Sequence, residues 1–583
     1  MYVKRYVVQR GRKQYVYLRL VEAYRDEHGK VRHRVLHTLG REDQLKQSGQ
    51  LEQLAATLAR LDPPMSGTRR EVGSLLLVRH YLDRLGLVDI VDRHLPQRGR
   101  AQLTTGEVIA ALIANRLAAP SPLYDVAGWA TSAASAEVLG IPGVLLNDDR
   151  LGRALESLAP LAEELRGAVM LAAIDRFGID AGRLHLDLTT LRVAGAYEDS
   201  ALVRKGWGPD RRVARQVRVL QATNPLGLPL YVRPHPGDAA ELACIGMALE
   251  RLAQLLPPGL LVCADSALGH VKNLCAADRA GLRFVVPLRD ASGFTERFLA
   301  EVGHQGLYRL DYRSRRERHL PAARRTRYRG ALRPFRVTDP DTGASHTFRV
   351  AYIWSSEEAR SVADGRQRAL VKAEATLGKV QHGLGGRYYK TRKQVDAKVT
   401  QLLGPTVRGL LKVTTGTRAG VPTLQFERDQ HAIDQAARTD GVYALCTNLA
   451  GRLSATTLLR LYKDQPLVEL RHRDAKQTLR VRPIFLHNDD RITALVSVVG
   501  LALVIFGLIE TDLRHALGPD QHLDGLLPQG RAAPPTARSI LSAFQGLGLT
   551  HTPNGIVLDR LTGTQRRILE LLTIPIPWPQ QTK

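Results

Sequence analysis

A chain of 583 residues with 44% hydrophobic content is long enough for several domains with real cores, which excludes the disordered and fibrous classes. Lys+Arg 83 against Asp+Glu 57 leaves a formal charge of +26, and because 68 of the basic residues are arginine and 15 lysine, the excess is almost wholly arginine. The planar guanidinium fork matches pairs of phosphate oxygens, so this balance points to a nucleic-acid backbone; coding bias in a GC-rich genome would explain arginine over lysine but not the net excess.

Residues 2 to 40 alternate at the strand period, with YVYLRLVEAYR and KVRHRVLHTLG on either side of the turn DEHG, which predicts a basic β-hairpin. It suits phosphate contact as well as it suits a solvated sheet face. The N-terminus has no apolar h-region, so no signal peptide is expected. A short helix over 42 to 61 completes a module spanning 1–64, and LDPPMSGTRR follows as a linker. Apolar spacing then predicts an all-α domain over 71–178, with Thr104 and Thr105 capping the helix GEVIAALIANRLA. It could bind DNA, though no spacing singles out a recognition helix.

From Leu184 the period changes. Strands LHLDLTTL, QVRVLQAT and LPLYVRP precede a helix, strand LLVCAD, another helix and strand RFVVPL, the order of a ribonuclease-H-like α/β core whose first part spans 183–288. Residues 289–450 are arginine-dense and β-leaning, and a mainly β insertion domain is expected there. Between Arg313 and Arg336 the sequence holds ten arginines and one acid, Glu317, with Tyr328 and Phe335 interleaved. The helical period returns over 451–515, and a Pro/Gly-interrupted tail spans 516–583. The apolar run from Ile492 to Ile509 contains Thr493 and Ser497 and reads as a buried helix, not a membrane span. Cys244, Cys263, Cys275 and Cys446 form no CxxC pair and show no histidine at zinc spacing, so a reduced compartment is expected and no zinc motif.

Two aspartates stand out. Asp187 interrupts an apolar strand, where a carboxylate is costly unless paired or bound to a cation, and Asp265 ends the apolar strand LLVCAD. Each is equally readable as a cap or an ion-pair partner. In YKDQPLVELRHRDAK, Glu469 and Lys476 are seven residues apart and share a helix face, which a merely solvated charged face would also produce. Together these features resemble the DDE transposases of bacterial insertion sequences, in the branch with a Tyr-x2-Arg-x3-Glu-x6-Lys signature. Tyr462, Gln465, Glu469 and Lys476 fall at those spacings, ADSALG is similar to the branch's second-aspartate motif, and DLTTL to its first. The hairpin ending in HTLGRED and the segment LRVRPIFLHNDDRITALVSVVGLAL resemble one subgroup. Gln465 replaces the signature arginine, and Pro466 bars a continuous helix from Tyr462 to Glu469.

The resemblance implies a catalytic triad of Asp187, Asp265 and Glu469 that holds two Mg²⁺ ions, with Mn²⁺ able to substitute, for cleavage at element ends and strand transfer. Lys476 and Tyr462 would contact DNA beside the site, and Arg324, Arg325 and Arg327 would clamp the element end. The implied partners are terminal inverted repeats and target DNA, with a homodimer in the complex with DNA ends; the implied place is the bacterial cytoplasm, with the nucleoid and no membrane. A non-catalytic DNA-binding derivative and a ribonuclease-H-like nuclease without strand transfer are the alternatives.

Overall fold

The computed structural model describes the chain except residues 1, 11–12, 26–30, 48–67, 97–100, 209–211, 256–258, 265–267, 290–292, 315–316, 318, 405, 464–472, 475–485, 487, 519–520 and 582–583. Two compact units emerge, one of residues 1–71, 547–560 and 576–583, the other of residues 72–546 and 561–575.

In the first unit, β1 (Tyr2–Arg10), β2 (Lys13–Arg25) and β3 (Val31–Arg41) form a three-stranded antiparallel sheet, so the expected hairpin gains a strand. Residues 2–10 alternate as regularly as those that follow, and pair in register with β2 from Tyr2↔Val21 to Arg10↔Lys13. Leu18 and Val21 are buried, while Val3, Tyr6 and Val7 remain exposed. Arg19 lies 4.4 Å over the Tyr6 ring, and Arg41 as close over Tyr15. The helix after β3 is described over Glu42–Gln47; the rest of the expected helix and most of the linker lie outside the described residues. A separate sheet joins β4 (Arg69–Glu71) to β17 (Gly548–Thr552), which pairs with β18 (Gly555–Leu558), so part of the C-terminal tail is strand.

The second unit is built on one mixed sheet. Its strands are β5 (Arg183–Arg192), β6 (Arg204–Trp207), β7 (Val213–Thr223), β8 (Pro229–Pro236), β9 (Leu261–Ala264), β10 (Arg283–Pro287), β11 (Tyr308–Arg309), β12 (Tyr328–Thr338), β13 (Ser345–Ser355) and β16 (Val442–Thr447). The central order is β8-β7-β5-β9-β10, with β7 antiparallel to β5 and β9 and β10 parallel to it, consistent with a ribonuclease-H-like core.

The expected mainly β insertion over 289–450 needs correction. Strands β11, β12, β13 and β16 extend the central sheet beyond β10. What leaves the sheet is the connection between β13 and β16, where Ser355 N donates to Gly441 O at 3.0 Å. This connection is largely helical: Ser356–His382, Arg392–Leu402 and Gln430–Ala437, with β14 (Leu411–Arg418) and β15 (Val421–Arg428) as a hairpin. Leu370, Ala373, Leu377 and Val380 recur every three or four residues and pack with Val395, Val399, Leu411 and Leu424. Of the arginines in this connection, Arg366 is mostly buried in an ion pair with Asp440 and Arg428 grips Glu374, while Arg360 and Arg368 are exposed.

The all-α segment is not a separate body. Helices Leu75–Leu85, Thr105–Ala118 and Ala162–Phe177 surround helix Asp489–Leu517, which also lies on β8. Helix Asp489–Leu517 is long and apolar enough to cross a membrane, and 94% of its most apolar window is buried. A Cβ at Gly500 would stand 3.2 Å from Val232 Cγ2, so glycine lets helix and strand close together. Ser497, the polar interruption in the apolar run, accepts a hydrogen bond from the buried Arg166. Burial brings the Arg166 guanidinium down to about 10, and it remains charged at neutral pH.

His235 on β8 is 3% exposed and its Nε2 has no hydrogen-bond partner among the described residues. Burial, and secondarily the Arg233 charge, lowers its pKa to about 4. Between the ordinary value of about 6.5 and pH 4 the unfolded chain binds a proton that the folded chain refuses, so stability is full above that window and declines as pH falls through it. The slope is up to about 1.4 kcal/mol per pH unit from this residue. Urea unfolding of His235→Leu at pH 7 and pH 4.5 should show a shallower acid loss than the parent; equal slopes would rule out His235 as a source.

Candidate active site

Strand β5 is apolar enough to run through the centre of the sheet, flanked by β9 and β7, yet it carries a carboxylate mid-strand. Leu184, His185, Leu186 and Leu191 are buried and Asp187 is half-buried. The described parallel pairing with β9 runs from Arg183↔Leu261 to Leu186↔Ala264, while the antiparallel pairing with β7 continues to Arg192↔Gln216. Asp187 therefore follows the last described β9 pair by one residue, within the run paired with β7.

Alternation puts His185, Asp187 and Thr189 on one face of β5, and antiparallel pairing sets Thr223 opposite His185 and Gln221 opposite Asp187. Both ring nitrogens of His185, the Gln221 Nε2 and the Thr223 Oγ1 are buried without a hydrogen-bond partner among the described residues. Burial, reinforced by the Arg183 charge, lowers the His185 pKa to about 4, which keeps the ring neutral at physiological pH. A half-buried hard oxygen donor beside buried polar atoms that await partners is the setting a divalent cation and further carboxylates would complete. Gln221 and Thr223 escape a reading of the sequence, because only the β5–β7 register brings them to the face that His185 shares with Asp187.

Asp265, Glu469, Lys476 and Gln465 lie outside the described residues. Tyr462 is described, on helix Ala455–Lys463, which buries Ala455, Leu458 and Leu459 at helical spacing against the sheet. The Tyr462 ring is half-buried, 6.5 Å from that of Tyr443. Burial pushes the Tyr443 hydroxyl well above its ordinary range, and Lys463 Nζ stands 5.9 and 5.8 Å from the Tyr328 and Tyr443 ring centres.

The arginine cluster divides by function. Arg324 and Arg327 are exposed, whereas Arg325 is half-buried and donates through Nε to Leu320 O at 2.7 Å. Arg329 Nη2 donates to His304 O and Leu307 O at 3.0 and 2.9 Å. Glu317 accepts from Thr326 N and from Thr326 Oγ1 at 2.6 Å. The interleaved aromatics are core residues, Tyr328 5% and Phe335 2% exposed, and offer no stacking platform to a base.

Family comparison bears on the same residues. The model of the transposase DDE domain matches residues 180–505, more than half of the chain and the whole of the central sheet. The chain belongs to the DDE transposases. The IS1634 family transposase N-terminal domain matches residues 5–67, and a domain of unknown function (DUF4277) matches residues 68–164. No curated protein matches the chain. For the transposase, family membership carries DNA binding and dependence on a divalent metal.

Replacing Arg329 by alanine should leave two carbonyls short of a donor and lower stability by about 1–3 kcal/mol in urea unfolding. Replacing the exposed Arg324 and Arg327 together should change it by less than about 0.5 kcal/mol. Equal losses would refute the division.

Proposed function

We propose that the transposase cleaves DNA at insertion-sequence ends and joins the freed 3′-hydroxyl to target DNA, with Asp187, Asp265 and Glu469 as the metal-holding carboxylates. The observation that carries this reading is the β5–β9 register. It pairs Leu186 with Ala264, so continuing it by one residue would set Asp187 beside Asp265 on adjacent strands. Glu469 would close the site from the segment after helix Ala455–Lys463, whose packing on the sheet supports that approach. Bound there, two Mg²⁺ ions, or Mn²⁺ in their place, would supply an activated oxygen nucleophile and stabilise the leaving oxygen. Buried neutral His185 keeps a second positive charge away from Asp187. Lys476 would meet a nearby phosphate as a point charge, with Tyr462 beside it, and Arg324, Arg325 and Arg327 would hold the element end. No covalent protein intermediate is needed. Two element ends call for two copies of the chain, working on the nucleoid in the cytoplasm.

Replacing Asp187 by asparagine removes a metal-binding charge while keeping the shape. Cleavage and joining of a labelled element end should both fall by about 10³-fold, equivalent to several kcal/mol of transition-state stabilisation, while end binding in chelator persists. Full activity would remove Asp187 from the site; cleavage without joining in the parent would favour a nuclease, and neither would favour a binding protein.

Charge in the arginine cluster has its own readout. Replacing Arg324, Arg325 and Arg327 by alanine should weaken binding to all duplex sequences. It should also flatten the log–log salt dependence by about 0.9 for each phosphate no longer neutralised, or about 2–3 in all. An unchanged slope would mean that these arginines do not touch phosphate.

A further inference from the structure

A second set of metal-capable side chains lies at the other end of the sheet. On β13, Arg349 pairs with Thr447, which pairs with Val285, then Cys263 and His185 in turn across β10, β9 and β5. His346 falls three residues before that level and Asp187 two residues after it, on strands that run the same way, so the two places are at opposite ends. There the ligand atoms of Cys275, Asp339 and His346 all lie within 4.8 Å of one another. Cys275 comes from helix Val271–Arg279, Asp339 from the turn after β12, and His346 from the start of β13.

We propose that Cys275, Asp339 and His346 form a binding site for a zinc-type divalent cation, separate from the catalytic carboxylates. The donor set is the first argument. A thiol, an imidazole and a carboxylate suit zinc or cobalt, whereas the hard ions of phosphoryl transfer take oxygen ligands. The orientation of His346 is the second. Its Nδ1 lies 2.8 Å from Asp278 Oδ2, and Asn448 Nδ2 donates to the other Asp278 oxygen at 2.8 Å, so a held carboxylate directs the ring. This is the arrangement that leaves Nε2 unprotonated toward a metal. That Nε2 is buried with no hydrogen-bond partner among the described residues, 3.8 Å from Asp339 Oδ2.

Third, Asp339 is pinned but not saturated. Its Oδ1 accepts from Asp341 N at 2.9 Å and its Oδ2 from Thr342 Oγ1 at 2.8 Å and from Arg279, so of about four lone-pair positions the one left for a cation is on Oδ1. Arg279 also offsets the charge of the buried Asp339 carboxylate before the cation arrives. With metal–nitrogen and metal–sulfur bonds of about 2.1 and 2.3 Å, tetrahedral ligands stand about 3.3–3.6 Å apart, so closure by roughly 1 Å completes the site. Cys275 enters as thiolate, its proton passing to solvent, and water takes the fourth position on the side where His346 is 13% exposed. The bound ion would tie the β12–β13 hairpin, which launches the helical insertion, to the helix that follows Asp265.

The test is a titration of the metal-free full-length chain with Co²⁺ alone, read by absorption. The expected result is a thiolate-to-cobalt charge-transfer band with tetrahedral d–d intensity, saturating at one ion per chain. The band should be lost in Cys275→Ser and unchanged in Asp187→Asn. Asp278→Asn, which changes the group that holds His346 but none of the three ligands, should keep the band and weaken affinity by about 10- to 100-fold. Near-ultraviolet circular dichroism reports whether Cys275→Ser is folded; should it not be, the Asp278→Asn affinity decides alone. No stoichiometric band, a band that survives Cys275→Ser, or unaltered affinity in Asp278→Asn would overturn the proposal and leave a hydrogen-bonded polar cluster.

Discussion

The constraint on which the molecule turns is a carboxylate in the middle of a central strand of its sheet. β5 lies between β9 and β7, and a strand in that place is ordinarily a continuous apolar run. Asp187 breaks the run one residue after Leu186, which pairs with Ala264 of β9. A charge there is costly unless a cation or donors compensate it, and the neighbouring face is polar to match, with His185, Gln221 and Thr223 buried beside it.

Around the sheet, one helix joins what the sequence divides. Asp489–Leu517 presents apolar residues on every side because it has neighbours on every side, β8 on one and the N-terminal helices on others. The same composition would suit a membrane span, and burial among protein helices is what separates the two readings. Its single buried serine is matched by Arg166, so the polar break in the run has a partner that lies 331 residues away in sequence.

Arginine plays three parts in this chain. Arg329 braces loop carbonyls, Arg428 grips Glu374 with two bonds of 2.7 and 2.8 Å inside the insertion, and Arg324 and Arg327 face solvent. A net charge of +26 is thus not a single nucleic-acid surface, and the share left for phosphate is smaller than composition suggests.

How much was legible in the sequence follows from the range of each signal. Strand and helix periods are local, so β5, β7, β8, β9, β10 and the helices between them are readable within a residue or a few, and so is the aspartate in the middle of β5. The insertion misleads because β12, β13 and β16 look like a domain of their own until their pairing onto β10 is known, although Leu370, Leu377 and Val380 keep a helical period between them. Burial of Tyr328 and Phe335 is equally invisible, since an aromatic among arginines reads the same whether it faces DNA or core. Local patterning by itself determined the elements, the charge and the candidate acids. Which polar groups share the face of Asp187, and how Cys275 comes to lie beside Asp339 and His346, was decided only by tertiary structure, because strand register and helix packing join residues whose separation in sequence carries no period.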